Sequence, residues 1–253
     1  MAVHIDEPLK PYADDQPEYA RAFETFLTHT DQKTKTIEWL TNLVNGLRSH
    51  GLFVDAGAGE GSMTAALAKF YHRTIAIEPN SALRAELARR CPEAEIVEAP
   101  IGVARIASRV DFVLCSHVLY YIPENDWVGT LERLTSWLAA YGGAVVLLGS
   151  PGADTMRLPY EFFGKSIDLA PAVQEFKARH DDFETLMQTL DCEVVVDDLE
   201  SACTLARFFL GAHPDWGRTV TRRKVEEYVR SHFTNPRGYR LSCDQDVVLI
   251  RRR

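Results

Sequence analysis

A short apolar run that breaks into closely spaced glycines constrains this chain more than any other feature. Residues 52–56 are apolar apart from Asp55, and Gly57, Gly59 and Gly61 follow at alternate positions. The next segment repeats its apolar residues at helical spacing. A strand that turns through glycines into a helix is typical of nucleotide-binding proteins, because glycine tolerates positive φ and lets a ligand approach the backbone.

The acidic residues around these glycines indicate which nucleotide is bound. Asp55 and Glu60 lie in the turn, and Ser62 occupies the position of the third glycine of a dinucleotide fingerprint. Two carboxylates repel a diphosphate, whereas they suit S-adenosylmethionine, whose sulfonium and ammonium groups are positive. The next apolar run ends in Glu78, and a carboxylate at the tip of that strand suits both ribose hydroxyls.

Strand-like and helical patterns alternate from residue 52 to residue 148, which predicts a parallel sheet with helices on both faces. The predicted strands are 52–56, 74–78, 95–97, 111–115 and 144–148, and the predicted helices are 63–71, 81–90 and 124–141. Ser81 is the expected N-cap of the second of these helices.

The later part of the chain predicts fewer regular elements. We expect Asp181 and Asp182 to cap a helix that runs to Leu190, and strands at 192–196 and 246–250 to add an antiparallel edge hairpin. The predicted fold class is therefore α/β: a Rossmann-like, doubly wound seven-stranded sheet, mostly parallel, with an antiparallel last strand and a helical cap.

The same patterns predict a single domain over residues 1–253. Within it we expect an irregular lead-in at 1–18 and an N-terminal helical lid at 1–50. Residues 151–180 and 201–240 are expected to be cap or substrate insertions, the second of them broken around residues 213–217.

The acidic composition argues against nucleic acid as a partner. The formal net charge is −8, whereas phosphate binding needs clustered Lys and Arg. The five cysteines are scattered and lack metal-ligand spacing, which predicts a cytoplasmic location and no metal site. The chain begins without a signal-peptide pattern, and no apolar run is long enough to span a membrane.

The residues after the fourth predicted strand are the candidates for chemistry. Ser116 and His117 follow the strand directly, so we expect them at the same sheet edge as the glycine turn. His117 suits a role as proton acceptor or as hydrogen-bond partner of a substrate nitrogen, or it is a structural histidine bonded to the backbone. Tyr120 and Tyr121 suit stacking on a flat or cationic ligand, or they pack under the cap.

Several segments together resemble the class I S-adenosylmethionine-dependent methyltransferases. They are the glycine turn at 52–61, Glu78-Pro79, and the fourth strand running into a Tyr-Tyr pair. Residues 19–30, 117–121 and 181–199 are similar, more narrowly, to the histamine N-methyltransferase family. The resemblance covers most of the chain, and the cofactor motifs are its specific part.

The resemblance implies site residues by position. Tyr19 and Phe23 match aromatic substrate contacts in the lid. The alternative is that the two rings belong to the hydrophobic core. Gln32 stands where the family has a glutamate that binds the amine, and His117 stands where it has a glutamine facing the amine. An uncharged Gln32 suits a neutral nitrogen heterocycle better than a cation.

The expected site has three parts. The only catalytic candidate is His117. The cofactor-binding residues are Asp55, Gly57, Ala58, Gly59, Glu60, Glu78, Pro79, Asn80, Ala99, Pro100 and Ser116. The substrate-binding residues are Tyr19, Phe23, Gln32, His117, Tyr120 and Tyr121.

The predicted function is transfer of a methyl group from S-adenosylmethionine to a small molecule. The favoured acceptor atom is a nitrogen of an amine or flat N-heterocycle in specialised metabolism. The alternatives are an O-methyltransferase of a small aromatic, a non-catalytic cofactor-binding protein, a methyltransferase for nucleic acid or protein, and a dehydrogenase of related topology. We expect neither nucleic acid nor a membrane as partner, and the oligomeric state stays open.

Overall fold

The structure is a computed structural model that describes residues 9–10, 12, 17–211 and 220–253. Its helices are α1 (Pro17–His29), α2 (Gln32–Asn45), α3 (Ser62–Ala68), α4 (Ser81–Arg90), α5 (Trp127–Ser136), α6 (Asp154–Phe163), α7 (Ala170–Arg179), α8 (Leu199–Gly211) and α9 (Arg222–His232). Its strands are β1 (Leu52–Ala56), β2 (Arg73–Ile77), β3 (Glu95–Val97), β4 (Val110–Ser116), β5 (Leu138–Gly149), β6 (Phe183–Leu190), β7 (Glu193–Val196), β8 (Thr234–Asn235), β9 (Gly238–Ser242) and β10 (Gln245–Arg252). Among the described residues, no helix is long and apolar enough to cross a membrane.

The chain divides into two compact units. The first consists of residues 1–35, 149–168 and 190–245, and the second of residues 36–148, 169–189 and 246–253. The expected single domain over 1–253, with its lid at 1–50 and its insertions at 151–180 and 201–240, stays a prediction. The predicted break at 213–217 and most of the predicted lead-in at 1–18 lie outside the described residues.

The second unit is built on a seven-stranded sheet in the order β3-β2-β1-β4-β5-β10-β6. The sheet is mostly parallel with one antiparallel strand, which confirms the predicted fold class. Strand β1 is buried along its whole length and pairs in parallel with β2 on one side and β4 on the other. The strand order reverses beside β1, and in open α/β sheets ligands bind at the carboxyl ends of the strands at such a point.

The first unit contains a three-stranded sheet in the order β7-β9-β8. Strand β7 pairs with β9 in antiparallel register, with Val194 opposite Leu241. Helices α1, α8 and α9 supply the core side chains that pack with this sheet, among them Phe26, Leu205 and Val229. The prediction that residues 192–196 join the main sheet as part of an edge hairpin is therefore wrong.

The helix predicted from residue 181 to Leu190 is also wrong, because this segment is strand β6 at the edge of the main sheet. Its partner in the sheet is β10, and the backbone oxygen of Asp182 accepts from the Arg253 amide at 2.9 Å instead of starting a helix. Thr185 and Thr189 favour an extended backbone through branching at Cβ, and pairing with β10 overrides the helix-forming residues between them.

Two further boundaries differ from the prediction. The helix predicted over 124–141 ends at Ser136, and β5 begins at Leu138, so Gly142 and Gly143 lie inside a strand. The register between β4 and β5 shifts beside them, and a Cβ on Gly142 would lie 2.7 Å from the Val110 carbonyl oxygen. The glycines thus permit a bulge where the sequence suggested a helix end.

The N-cap of α4 is Asn80, not Ser81. The Asn80 side chain accepts from the backbone amides of Ala82 and Leu83, which satisfies two of the free donors at the start of the helix. Asn80 is therefore a structural cap as well as an expected cofactor contact.

The bulge at Gly142 leads to a stability prediction. Gly142→Ala should lower the free energy of unfolding by about 1–3 kcal/mol, because the added methyl group has to displace backbone atoms. Gly102→Ala is the matched control, since a Cβ at Gly102 meets no atom within 4 Å. Urea unfolding of both variants measures the difference, and equal stabilities would contradict the packing seen at Gly142.

Candidate active site

Three glycines shape the turn between β1 and α3, and they serve two different purposes. All have positive φ: 90° at Gly57, 56° at Gly59 and 85° at Gly61. A Cβ on Gly57 would lie 2.3 Å from a methyl carbon of Val118, and one on Gly61 would lie 2.7 Å from Leu87 Cδ1. A Cβ on Gly59 meets no atom within 4 Å. Gly57 and Gly61 therefore allow close packing, while Gly59 faces open space that a ligand can occupy.

The turn is fixed to the end of the neighbouring strand by hydrogen bonds. The amides of Gly57 and Ala58 both donate to the Ile77 carbonyl at 2.9 Å. At the other end of the turn, the Ala65 amide donates to the Gly61 carbonyl at 2.8 Å and continues into α3. These bonds hold the backbone around Gly59 in place.

The Glu78 carboxylate joins the two loops at this sheet edge. Its Oε2 accepts from the Gly59 amide and its Oε1 accepts from the Asn80 amide, both at 2.8 Å. The residue is buried, with 6% of its surface exposed. Each oxygen of an ionised carboxylate keeps a further lone pair, so Glu78 can accept from two ribose hydroxyls.

Asp55 is a second buried carboxylate, at the end of β1. Thr64 Oγ1 donates to its Oδ2 at 2.6 Å. Burial raises the pKa of Asp55 from 3.8 to about 7, with Glu78 and Glu60 adding to the rise and the Thr64 hydrogen bond opposing it. A positive ligand in this turn would favour the ionised form of Asp55.

Glu60 is partly neutralised by a residue that sequence reasoning missed. Arg90, at the end of α4, lies 2.8 Å from Glu60 Oε2 and donates to Ser62 Oγ at 2.7 Å. Ser62 in turn hydrogen-bonds Glu60. The sequence carries one signal for Arg90, its place in the last turn of the helix predicted over 81–90.

The loop after β3 lies at the same edge. The Glu78 amide donates to the Val97 carbonyl at 3.1 Å, and the Ala99 amide donates to that same carbonyl at 3.0 Å. Ala99 is half-buried, whereas Pro79 and Pro100 are exposed. These residues thus lie beside Glu78, and their binding of the cofactor stays a prediction.

The loop after β4 carries the residues expected to meet the acceptor. Ser116 ends β4, and His117 follows with a φ of 58°, which is rare for a residue with a side chain and typical of functional sites. The His117 amide donates to the Leu147 carbonyl at 2.9 Å, and its ring stacks on that of Tyr120 at 5.9 Å between centroids. The Tyr121 side chain is the most open of the group, at 84% exposure.

Trp127, which lies in the helix predicted over 124–141 and was not among the expected site residues, supports this loop. Its indole Nε1 donates to the carbonyls of Leu119 and Ile122, at 3.2 and 2.9 Å. On the other side, Val118 packs on Gly57. The acceptor loop is therefore anchored both to α5 and to the glycine turn.

The remaining predicted substrate residues lie in the first unit. Tyr19 and Phe23 stack at 6.4 Å, and both rings pack on Phe208. The Gln32 side-chain amide donates to the Cys243 carbonyl at 2.9 Å. These contacts give all three residues structural tasks within their own unit, and their binding of an acceptor stays a prediction. No group of acidic, His or Cys side chains suited to a metal ion occurs in the described part of the chain.

Comparison with known proteins agrees with this geometry. Residues 53–142, which contain the glycine turn, Glu78 and His117, match the family model of the methyltransferase domain. The fold is that of the class I S-adenosylmethionine-dependent methyltransferases. This domain match and the methyltransferases among the similar proteins support the prediction of an S-adenosylmethionine-dependent methyltransferase. The nearer resemblance to histamine N-methyltransferase stays a prediction.

One curated relative is an uncharacterized methyltransferase from Alkaliphilus oremlandii (strain OhILAs), 25% identical over 139 residues. The match covers 55% of this chain and 58% of the relative, so the chain spans little more than half of that protein's length. A provisionally assigned methyltransferase from Bacillus halodurans C-125 is 13% identical with a TM-score of 0.62, over 85% of this chain and 97% of that one. The plantazolicin methyltransferase BpumL in complex with SAH is 12% identical with a TM-score of 0.59, and the match covers 94% of this chain and 92% of that one.

The buried Asp55 carboxylate leads to a prediction on pH. The folded state holds the Asp55 proton more tightly than the unfolded state. The free energy of unfolding therefore declines as the pH rises from about 4 towards about 7. Relative to Asp55→Asn, which keeps an oxygen for Thr64 and does not titrate, the wild type should lose on the order of 2 kcal/mol between about pH 5 and pH 8. Urea unfolding of both proteins across this range is the measurement. Parallel stability profiles would contradict a raised pKa at Asp55.

Proposed function

We propose that this chain binds S-adenosylmethionine at the glycine turn and transfers its methyl group to a small molecule. The observation that carries the proposal is the Glu78 carboxylate, which is held at the sheet edge by the amides of Gly59 and Asn80. A dinucleotide would bring its diphosphate to this turn, where Asp55, Glu60 and Glu78 are acidic and Arg90 balances only Glu60.

The residues present fit the donor. The open space at Gly59 gives it room, and Glu78 offers two acceptors for its ribose. Asp55 and Glu60 favour its positive methionine end, and we propose that the loop at Ala99 and Pro100, which lies beside Glu78, faces the adenine. When bound, S-adenosylmethionine supplies a methyl group that its sulfonium has already made electrophilic.

The protein's part in the reaction is then alignment and exclusion of water. We assign His117 to the acceptor, because it lies at the end of β4 with its backbone anchored to Leu147 and its ring held by Tyr120. The His117 ring orients a nitrogen acceptor and takes its proton where the acceptor has one to lose. Tyr120 and the exposed Tyr121 add aromatic surface for a flat or cationic molecule.

The proposed acceptor is a nitrogen of an amine or flat N-heterocycle in specialised metabolism. The support is an imidazole at the strand end, and the sequence resemblance at residues 19–30 and 117–121. The net charge of −8 favours a small molecule over nucleic acid. The alternative is an O-methyltransferase of a small aromatic, in which the same loop binds the acceptor and His117 acts as the base. We also propose that the protein is cytoplasmic.

The assignment of His117 leads to a kinetic prediction. His117→Ala should lower turnover by on the order of 100-fold with little change in the affinity for S-adenosylhomocysteine, because His117 acts on the acceptor. His72→Ala is the matched control, since His72 is exposed on the same unit, directly before β2. Transfer of a labelled methyl group to a panel of amines, N-heterocycles and phenols provides the assay. Full activity of His117→Ala on the best acceptor would overturn the assignment, and absence of transfer to every acceptor would favour a non-catalytic binding protein.

A further inference from the structure

The two edges of the seven-stranded sheet differ in how they are protected. At one edge, β3 is three residues long and its Glu95 forms an ion pair with Arg73 at 2.9 Å. At the other edge, β6 is eight residues long, and within the described ranges no strand pairs along its outer side. Short strands and charges prevent edge-to-edge pairing, so only the β3 edge carries this protection.

The side chains of β6 offer little to prevent pairing. Glu184 is the only charged residue in 183–190, and the strand contains neither proline nor lysine. Leu186 and Met187 are exposed by 56% and 36%, one on each face of the strand. Such a strand is a template for another strand.

The strand is also rigid enough to present this edge. At its start, Phe183 is buried against Phe176 and lies under the Arg252 guanidinium at 4.8 Å. At its other end, Thr189 Oγ1 donates to Asp246 Oδ1 at 2.8 Å. Pairing would therefore need little ordering of the backbone, which lowers its entropic cost.

We propose that β6 pairs in antiparallel fashion with β6 of a second copy of this chain, around a two-fold axis at Leu186. An antiparallel edge is complementary to itself, because rotation about an axis normal to the sheet brings the same donors and acceptors together. That rotation keeps each face of the sheet on the same side, so two residues that lie opposite each other must belong to the same face. The axis therefore lies at the position of one residue and not between two consecutive residues.

The charges of β6 select Leu186 as that residue. With the axis at Leu186, the single charge of the strand, Glu184, lies opposite the neutral amide of Gln188, and Leu186 packs on its own copy. With the axis at Met187, Glu184 lies opposite Leu190 and Leu186 lies opposite Gln188. On the face that carries Glu184, Leu186 and Gln188, the first register opposes polar to polar and apolar to apolar side chains, which is the favourable arrangement across strands. On the other face the first register places Thr185 opposite Met187, so the position of the single charge, Glu184, decides between the two registers.

Sedimentation velocity of the full chain without ligands tests the proposal, and it does not depend on methyl transfer. A single strand pair buries less surface than most stable interfaces, so we expect a dimer that appears with a dissociation constant on the order of 10 μM. A chain that sediments as a monomer at about ten times that concentration would overturn the proposal.

Two exposed substitutions test the register. Leu186→Lys places two ammonium groups against each other at the axis and should raise the dissociation constant by at least about tenfold. Gln188→Lys places each new ammonium opposite Glu184 of the other copy and should leave the dissociation constant unchanged or lower it. Val103→Lys, on another exposed residue of the same unit, is the control and should change nothing.

The outcomes separate the possible interfaces. A dimer that Leu186→Lys leaves intact would show that another surface makes the contact and would overturn the proposal. Equal weakening by Leu186→Lys and Gln188→Lys would overturn the axis at Leu186. Thermal unfolding shows whether each variant is folded, and all three positions are exposed, so loss of the fold is not expected.

Discussion

The candidate site depends on one interaction, the pair of hydrogen bonds that the Glu78 carboxylate accepts from the amides of Gly59 and Asn80. These bonds join the turn after β1 to the turn after β2 at the point where the strand order reverses. Charge-assisted bonds of this kind are stronger than those between neutral groups, and the Glu78 side of both bonds is buried. The protein's own backbone therefore orients the carboxylate, and orientation of this kind reduces the cost of binding.

The same turn gathers negative charge, and this has a cost that a ligand can relieve. Burial holds the pKa of Asp55 at about 7, with Glu78 and Glu60 nearby. Arg90 balances Glu60 from α4. A positively charged donor would compensate the remaining carboxylates, whereas a diphosphate would add to the repulsion. The electrostatics thus select the class of ligand, and the open space at Gly59 gives that ligand room.

The sequence predicted the parts of the fold that are set by local patterns. Strand β1, the glycine turn and Glu78 were found because burial, positive φ and the strand end each require particular residue types. The β6 strand was missed because its helix-forming residues become extended only through pairing with β10. Gly142 and Gly143 were misread for a similar reason, since a bulge beside Val110 and a helix end both favour glycine. Arg90 and Trp127 were missed as site residues because their partners are far away in sequence.

Calorimetric titration of the full chain with S-adenosylhomocysteine tests the central claim most directly. The account predicts saturable binding by the wild type, no detectable heat with NAD⁺, and affinity lower by at least about tenfold in both Glu78→Ala and Gly59→Ala, because the first removes the ribose acceptor and the second fills the open space. Thermal unfolding confirms that the variants are folded. Absence of binding by the wild type, or undiminished affinity in Glu78→Ala, would contradict the account.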